Sequence, residues 1–164
     1  MTDRRGRRPS QGKTSSAKVP DFRLRPATQD DFNFAKTLYM ASMQPLLAAL
    51  GAWKEEQANA RFRSYFKPEE IWMIAAAGAD IGWIQISETD GALNLDQLHL
   101  IKPMRNQGIG TKLIRRMQKE ARRKGRPLRL SFIRGNRAGA LYERLGFRQV
   151  GSNATKIHMQ WNAE

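Results

Sequence analysis

The sequence predicts a mixed α/β protein built around one sheet, and three observations lead to this prediction. Short apolar or alternating segments, typical of strands, are interspersed with longer segments of helical periodicity. Glycines, prolines and an Asp-Gly pair separate these segments. The chain has 164 residues, of which 40% are hydrophobic, so it is long enough for one domain with a core and too short for two ordinary ones.

The predicted body begins with one strand and two helices. Residues 22–25 alternate like a short strand, which Pro26 ends. Thr28 or Asp30 can cap the first helix. One face of this helix would carry Phe34, Leu38 and Ala41. The second helix is predicted over about residues 54–66.

Three strands are predicted next, over residues 71–77, 81–87 and 93–101. Residues 78–80 form the first turn, and Asp90-Gly91 is a strong hairpin signal. Strict alternation would place one set of side chains on one side of the third strand: Leu93, Leu95, Gln97, His99 and Ile101. Because Leu98 and Leu100 make the opposite side apolar as well, this strand is predicted to lie in the middle of the sheet.

The last part of the chain is predicted to alternate between helices and strands. Gly125 stops the first of these helices, and Gly146 is the C-cap of the second. The helices are expected over residues 111–124 and 137–145, and the strands over residues 128–133, 147–151 and 156–161. The complete predicted order is β-α-α-β-β-β-α-β-α-β-β.

The charge is strongly basic and partly concentrated at the N terminus. The formal net charge is +14, of which the first twenty residues contribute +5 and the rest +9. We interpret residues 1–20 as a disordered leader, because they contain almost nothing apolar, and residues 21–164 as the folded domain. The alternative is that this leader tethers the protein to nucleic acid or another acidic surface. Its charged residues are Asp3, Arg4, Arg5, Arg7, Arg8, Lys13 and Lys18.

Composition excludes several kinds of protein and site. The absence of cysteine excludes disulfides, thiolate metal sites and a cysteine nucleophile. The longest apolar runs are far too short for a membrane span. No apolar segment typical of a secretory signal follows the basic start, so we expect a cytoplasmic protein.

The segment after the third of these strands has the pattern of an anion site. It reads Arg105-Asn106-Gln107-Gly108-Ile109-Gly110 and leads into the predicted helix. Glycines let the backbone approach a ligand, and the free N–H groups at the helix start favour a phosphate. The further cations Lys112, Arg115 and Arg116 follow. Taken alone, the motif is weak, because glycines after a strand most often form an ordinary turn.

A second segment makes the pattern specific. Asn136 can cap a short helix that contains Tyr142 and ends in Gly146-Phe147. With both segments at this spacing, the sequence resembles the GNAT superfamily of N-acetyltransferases over residues 22–161. The resemblance implies a mixed, mostly antiparallel and twisted sheet of six or seven strands. It further implies that the sheet is splayed between its fourth and fifth strands and flanked by about four helices.

The resemblance also implies acetyl-CoA as the cosubstrate, with no metal. Tyr142 matches the usual general acid of the family, which would protonate the departing CoA thiolate. Pro103 to Arg105 and Asn136 to Tyr142 are each one residue shorter than the common family spacing. The residues that would bind the cosubstrate are Leu98, His99, Leu100, Ile101, Arg105, Asn106, Gln107, Gly108, Ile109, Gly110, Thr111 and Asn136.

The general base is left open by the sequence. Residues 128–133 carry no acid, although some family members place a Glu on this strand. Asp96 is the acid available on the strand before the glycines, but a structural role for it is equally compatible with the sequence. Glu88, His99 and a water chain are the other candidates.

The predicted function is acetyl transfer from acetyl-CoA to a primary amine by direct attack in a ternary complex. The alternatives are a CoA-binding module with little activity and a basic nucleic-acid-binding protein. The acceptor would be a small-molecule or peptide amine, and a homodimer is common among relatives. Candidates for the acceptor pocket are Tyr39, Met40, Met43, Trp53, Lys156 and His158.

Overall fold

The structure is a computed structural model and describes residues 18–164, so residues 1–17 of the predicted leader lie outside it. Within that range the chain forms seven strands and four α-helices. The strands are β1 (Arg23–Pro26), β2 (Ile71–Ala76), β3 (Ala79–Thr89), β4 (Ala92–Leu100), β5 (Leu128–Ile133), β6 (Arg148–Ser152) and β7 (Lys156–Trp161). The helices are α1 (Phe32–Ala49), α2 (Glu55–Tyr65), α3 (Ile109–Lys124) and α4 (Ala138–Arg144).

The predicted order of elements and the predicted fold class are both confirmed. The seven strands form one sheet in the order β1-β2-β3-β4-β5-β7-β6. All neighbours are antiparallel except β4 and β5, which are parallel. Asp90 and Gly91 both adopt positive φ in the β3–β4 hairpin, as the Asp-Gly pair predicts.

The parallel pair β4–β5 is joined over only a short stretch. Pairing starts at Leu93 with Leu128 and ends at Leu95 with Leu130, although both strands continue beyond this point. The sheet is therefore splayed between its fourth and fifth strands, as the resemblance implies. We call the space between the continuing strands, residues 96–100 and 131–133, the gap.

A β-bulge in β4 contradicts the strict alternation predicted for this strand. Gln97 pairs with Gln85, but Leu95 pairs with Ile86, so Asp96 is the extra residue. The bulge reverses the two faces beyond it. As a result, Leu93 and Leu95 share the face of Leu98 and Leu100, whereas Gln97 and His99 lie on the opposite face.

The two faces of the sheet carry different parts of the core. Helices α3 and α4 cover one face, where Ile84, Leu113 and Phe147 are among the buried residues. Helix α1 and helix α2 cover the other face, where Phe62 and Trp83 are buried. None of the helices within residues 18–164 is both long and apolar enough to cross a membrane.

The predicted face of α1 is partly wrong. Leu38 is buried, but Phe34 is half-buried and Ala41 is exposed. Thr28 caps a short 3-10 turn over Gln29–Asp31 rather than the α-helix itself, which starts at Phe32. The buried residues of α1 are Ala35, Leu38, Tyr39 and Leu47, so its buried face is rotated relative to the predicted one.

Candidate active site

The glycine turn between β4 and α3 presents backbone N–H groups at the start of a helix. Asn106 and Gly108 adopt left-handed backbone conformations, with φ of 59° and 89°. Gly108 is the N-cap of α3, so the N–H groups of residues 109–111 have no carbonyl partner within the helix. Arg105 Nε donates to the Leu100 carbonyl oxygen at 2.9 Å and ties the turn to the end of β4. The turn therefore fits a bound anion.

The N-terminal segment of the described chain packs beside this turn. A Cβ at Gly108 would lie 2.9 Å from Cγ2 of Val19. Lys112 Nζ and the Arg116 guanidinium lie 5.6 Å and 5.1 Å from the centre of the Phe22 ring. Two of the three cations that follow the motif thus contact the segment before β1 instead of pointing freely from the helix.

The end of β4 directs polar backbone groups into the gap. Ile101 N donates to the Ile81 carbonyl oxygen at 2.8 Å, so alternate residues of β4 bond to β3. Leu98 and Leu100, which lie between these positions, direct their backbone groups to the other side, where β5 has separated. A ligand in the gap can therefore hydrogen-bond to this edge of β4 like an added strand.

Helix α4 brings Asn136 and Tyr142 to the same side of the sheet as α3. Asn136 Oδ1 accepts from the Ala138 N–H at 3.0 Å and so caps the helix start. Residue 139 lies on the face of α4 that packs on β5. A Cβ there would lie 2.8 Å from the Phe132 ring, so glycine is the residue that fits. The α3 helix contacts the same region, because the Gly110 position lies near Leu98 and Leu141 side chains.

Tyr142 is a buried phenol. It is 9% exposed, and its ring packs between Phe132 and Phe147, with centroid distances of 5.6 Å and 6.0 Å. Burial raises the pKa of Tyr142 to about 12, because the charged phenolate is poorly solvated there. The hydroxyl is therefore neutral at physiological pH and able to donate a hydrogen bond or a proton.

A polar cleft of about 550 Å³ lies along β4, β5 and β7 and is bordered by the end of α2. It begins beside the paired part of β4 and β5 and extends over the first residues of the gap. Of the six predicted acceptor-pocket residues, Lys156 and His158 line it, whereas Tyr39 is buried in the core under α1. The polar residues that line the cleft include Glu70, Gln85, Ser87, Asp96, Gln97, Arg129, Ser131, Lys156 and His158.

Asp96, the bulge residue, lies in this cleft. Partial desolvation raises the pKa of its carboxyl group, and a hydrogen bond from Ser87 opposes that rise. The bulge thus brings an acid to the point where β4 and β5 separate.

Neither of two other candidate bases lines the cleft. Glu88 pairs with Lys124 and Arg126 and does not line the cleft. His99 is 8% exposed, and burial lowers its pKa to about 3. Its Nε2–H donates to Gln97 Oε1 at 2.8 Å, because an amide oxygen only accepts. His99 is therefore neutral and packed between its neighbours.

Gln85 and Ser131 line the cleft and were not singled out by the sequence. Gln85 is 3% exposed, and its amide N–H₂ donates to the Tyr65 carbonyl oxygen at 2.7 Å and to Glu70 Oε2 at 3.0 Å. Its Oε1 has no partner among the described residues. Such a buried acceptor costs about 1–3 kcal/mol unless water or a ligand donates to it. The only sequence signal for either residue is strand alternation, which does not show what faces them.

Ser131 is hydrogen-bonded to His158. These residues are cross-strand partners on β5 and β7, and Ser131 Oγ lies 2.6 Å from His158 Nδ1. Both line the cleft. The pair can be recognised only from the register of β5 against β7, because its members lie 27 positions apart in the sequence.

A family model and several solved structures of acetyltransferases match this chain. A family model described as the acetyltransferase (GNAT) domain matches residues 67–149, just over half of the chain. Among solved structures, the PaiA N-acetyltransferase from Thermoplasma acidophilum in complex with coenzyme A has a TM-score of 0.69 and 19% identity. That alignment covers 87% of this chain and 99% of the other.

Two further structures show the same fold. An acetyltransferase from Thermus thermophilus has a TM-score of 0.67 and 16% identity, with coverage of 89% of this chain and 99% of the other. The ribosomal-protein-S18-alanine N-acetyltransferase from Escherichia coli has a TM-score of 0.63 and 18% identity, with coverage of 87% and 94%. No curated protein matches the sequence.

Proposed function

The chain belongs to the GNAT acetyltransferase family, and on this premise we propose that it transfers acetyl from acetyl-CoA to a primary amine. The main support is the gap between β4 and β5. It lies between the glycine turn at one end of β4 and a polar cleft beside Asp96. A cosubstrate held at the turn could thus present its thioester to an amine in the cleft.

Residues 105–111 are proposed to hold the pyrophosphate of acetyl-CoA. The positive φ of Gly108 and the free N–H groups after it support this role. The pantetheine arm would pair with the backbone of residues 98–101, at the strand edge that β5 leaves open. Asn136, at the start of α4, would contact the cosubstrate from the other side of the gap while it caps the helix.

Acetyl transfer is proposed to proceed by direct attack of the amine on the thioester in a ternary complex. The chain has no cysteine, so an acetyl-cysteine intermediate cannot form. The N–H of Leu98 or Leu100 would stabilise the oxygen of the tetrahedral intermediate. Tyr142 would then donate its proton to the departing thiolate, whose ordinary pKa of about 8–9 makes it a modest leaving group.

The amine arrives mainly as an ammonium ion, since the ordinary pKa of a primary amine is about 10. Asp96 would attract this ion, because its carboxylate lies in the cleft with no cation within 4.0 Å among the described residues. Asp96 is also the acidic candidate for the general base. Removing the proton frees the nitrogen lone pair for attack.

The test is acetyl-CoA binding followed by turnover. Saturating acetyl-CoA should raise the melting temperature, because a ligand that binds only the folded state stabilises it. Release of the CoA thiol is then measured with amino acids, polyamines, aminoglycosides and peptides with free N termini. Amine-dependent thiol release supports the proposal. Binding without release on any of these acceptors would leave only a CoA-binding module.

A further inference from the structure

The hydrogen-bonded pair Ser131–His158 stands on the wall of the cleft opposite Asp96. Its short Oγ–Nδ1 distance of 2.6 Å fixes the imidazole ring against the serine hydroxyl. Ser131 is exposed and His158 is half-buried, so the hydroxyl is accessible from the cleft. The proposed acetyl transfer does not yet use this pair, although it joins an accessible hydroxyl to an imidazole.

The register places this pair beside the proposed reaction. Leu95 and Leu130 are the last paired residues of β4 and β5, so Asp96 and Ser131 come next on either side of the gap. His158 lies one strand farther away, directly across from Ser131. An amine at the gap is therefore nearer to Ser131 than to His158.

The chemistry of the step favours an imidazole as the final proton acceptor. In model peptides an imidazole is a stronger base than an aspartate carboxylate by about 2.6 pKa units. Proton transfer from an ammonium ion to an imidazole is accordingly less unfavourable. Glu88 and His99 cannot serve because one is ion-paired away from the cleft and the other is buried. Asp96 and the Ser131–His158 pair are the candidates that flank the gap within the cleft.

We infer that Ser131 and His158 form a proton relay that deprotonates the acceptor amine, while Asp96 holds the ammonium ion by its charge. This inference rests on the proposed function. The ammonium N–H bond breaks as its proton passes to Ser131 Oγ, and the hydroxyl proton of Ser131 passes to His158 Nδ1. Ser131 ends neutral, His158 becomes an imidazolium ion, and the freed nitrogen lone pair attacks the thioester carbon. The half-buried imidazolium then returns its proton to solvent.

The other ionisable groups of the cleft set the electrostatics around the relay. They come from the end of α2 and the segment after it, from β4, from β5 and from β7. These groups are Tyr65, Lys67, Glu70, Asp96, Arg129 and Lys156. Arg129 and Lys156 lie on the same wall of the cleft as His158.

The test compares steady-state rates of the full chain with acetyl-CoA and the amines named above. His158→Gln keeps a side chain able to hydrogen-bond Ser131 but unable to take the proton. Ser131→Ala removes the hydroxyl. Each variant should lower kcat about 100-fold with an unchanged KM for acetyl-CoA. Ser131→Thr keeps a hydroxyl and should retain most of the activity, whereas the double variant should be no slower than His158→Gln alone.

A pH series separates a relay from a structural role. The fraction of free amine rises about tenfold per pH unit below the amine pKa, so the need for a base falls as pH rises. The rate deficit of His158→Gln should thus shrink from pH 7 to pH 9. A purely structural defect would persist at every pH. Gln149→Ala, on the neighbouring strand β6 and outside the cleft, is the control and should keep wild-type rates.

The remaining outcomes overturn one proposal or the other. Wild-type kcat in both His158→Gln and Ser131→Ala, with a large loss in Asp96→Asn, would overturn the relay and leave the proposed function standing. A loss in His158→Gln alone would overturn transfer through Ser131. Wild-type protein that binds acetyl-CoA and acetylates no amine would overturn the proposed function, and the relay with it.

Discussion

Gly108 and Val19 are in contact at the point where α3 begins, and a Cβ at residue 108 would lie 2.9 Å from Val19 Cγ2. The same glycine has a φ of 89°, which side chains disfavour. Two independent constraints therefore require glycine at the start of the proposed pyrophosphate site. The start of the described chain therefore lies close to this site.

Replacing Gly108 with Ala should weaken acetyl-CoA binding and destabilise the fold. The left-handed backbone costs a side chain about 1–2 kcal/mol, and Val19 must also move. Gly125→Ala is the matched control, because it has a φ of 63° at the other end of α3 and nothing within 4 Å. Both variants should lose stability in denaturant titrations, but only Gly108→Ala should lose affinity in calorimetry. Equal affinities would contradict the assignment of residues 105–111.

Tyr142→Phe should reduce kcat by about 10²-fold or more while acetyl-CoA affinity stays near the wild-type value. The removed hydroxyl is the proposed proton donor, whereas the ring that packs against Phe132 and Phe147 is kept. Steady-state kinetics and calorimetry measure the two quantities. An unchanged kcat would show that Tyr142 is only a core aromatic.

The raised pKa of Tyr142 makes a separate prediction about stability. The folded-state pKa of about 12 exceeds the ordinary value of 10, so the neutral phenol makes its full contribution to the free energy of unfolding below pH 10. The contribution is lost as pH rises from 10 to 12, because the unfolded chain releases the phenol proton first. The free energy of unfolding should thus fall more steeply in wild type than in Tyr142→Phe over this range. Parallel curves would contradict the burial of the phenol.

Gly82→Ala should destabilise the β3–β4 pair strongly. A Cβ at this position would lie 2.2 Å from the His99 carbonyl oxygen and 2.8 Å from Leu100 Cδ2. The backbone of one strand must shift, at a cost of about 1–3 kcal/mol or more. Gly151→Ala, whose Cβ would have only an ordinary 3.7 Å contact, should change stability far less. Thermal unfolding of the two variants makes the comparison.

The cations of the cleft predict a preference among acceptors. Arg129 and Lys156 line it, and no carboxylate lies within 4.0 Å of either among residues 18–164. An amine that also carries an anionic group should be the better acceptor. Lys156→Met should raise KM for such an amine more than for its uncharged amide. Lys119→Met, on exposed α3 surface, is the control and should leave both KM values unchanged.

Local signals predicted most of the fold. Gly125 and Gly146 end helices where the sequence indicates, and the Asp90-Gly91 turn joins the strands that it was predicted to join. Such signals depend on neighbouring residues only. Ala41 is exposed because α1 packs on the sheet through the face of Ala35, Leu38 and Tyr39, and helical periodicity alone does not determine which face is buried.

The cleft was harder to predict because it depends on register. One extra residue at Asp96 reverses the faces of β4, and alternation alone places Gln97 and His99 on the wrong side. The Ser131–His158 contact likewise requires the pairing of β5 with β7. The turn at residues 105–110 could be recognised in the sequence, since its glycines and its neighbours are contiguous.

The short pairing of β4 with β5 has a further consequence for how the molecule responds to its ligand. Among the described residues, only three residue pairs join β4 to β5, and with them strands β1–β4 to strands β5–β7. The amide protons of Leu98 and Leu100 lie beyond these pairs, so solvent deuterium should replace them rapidly in the free protein. A pantetheine arm in the gap would protect these protons and complete the ladder across the sheet. Cosubstrate binding would thereby couple the two parts of the sheet, so that they open together. Hydrogen exchange would record this as slower exchange of the individual amide protons along the gap.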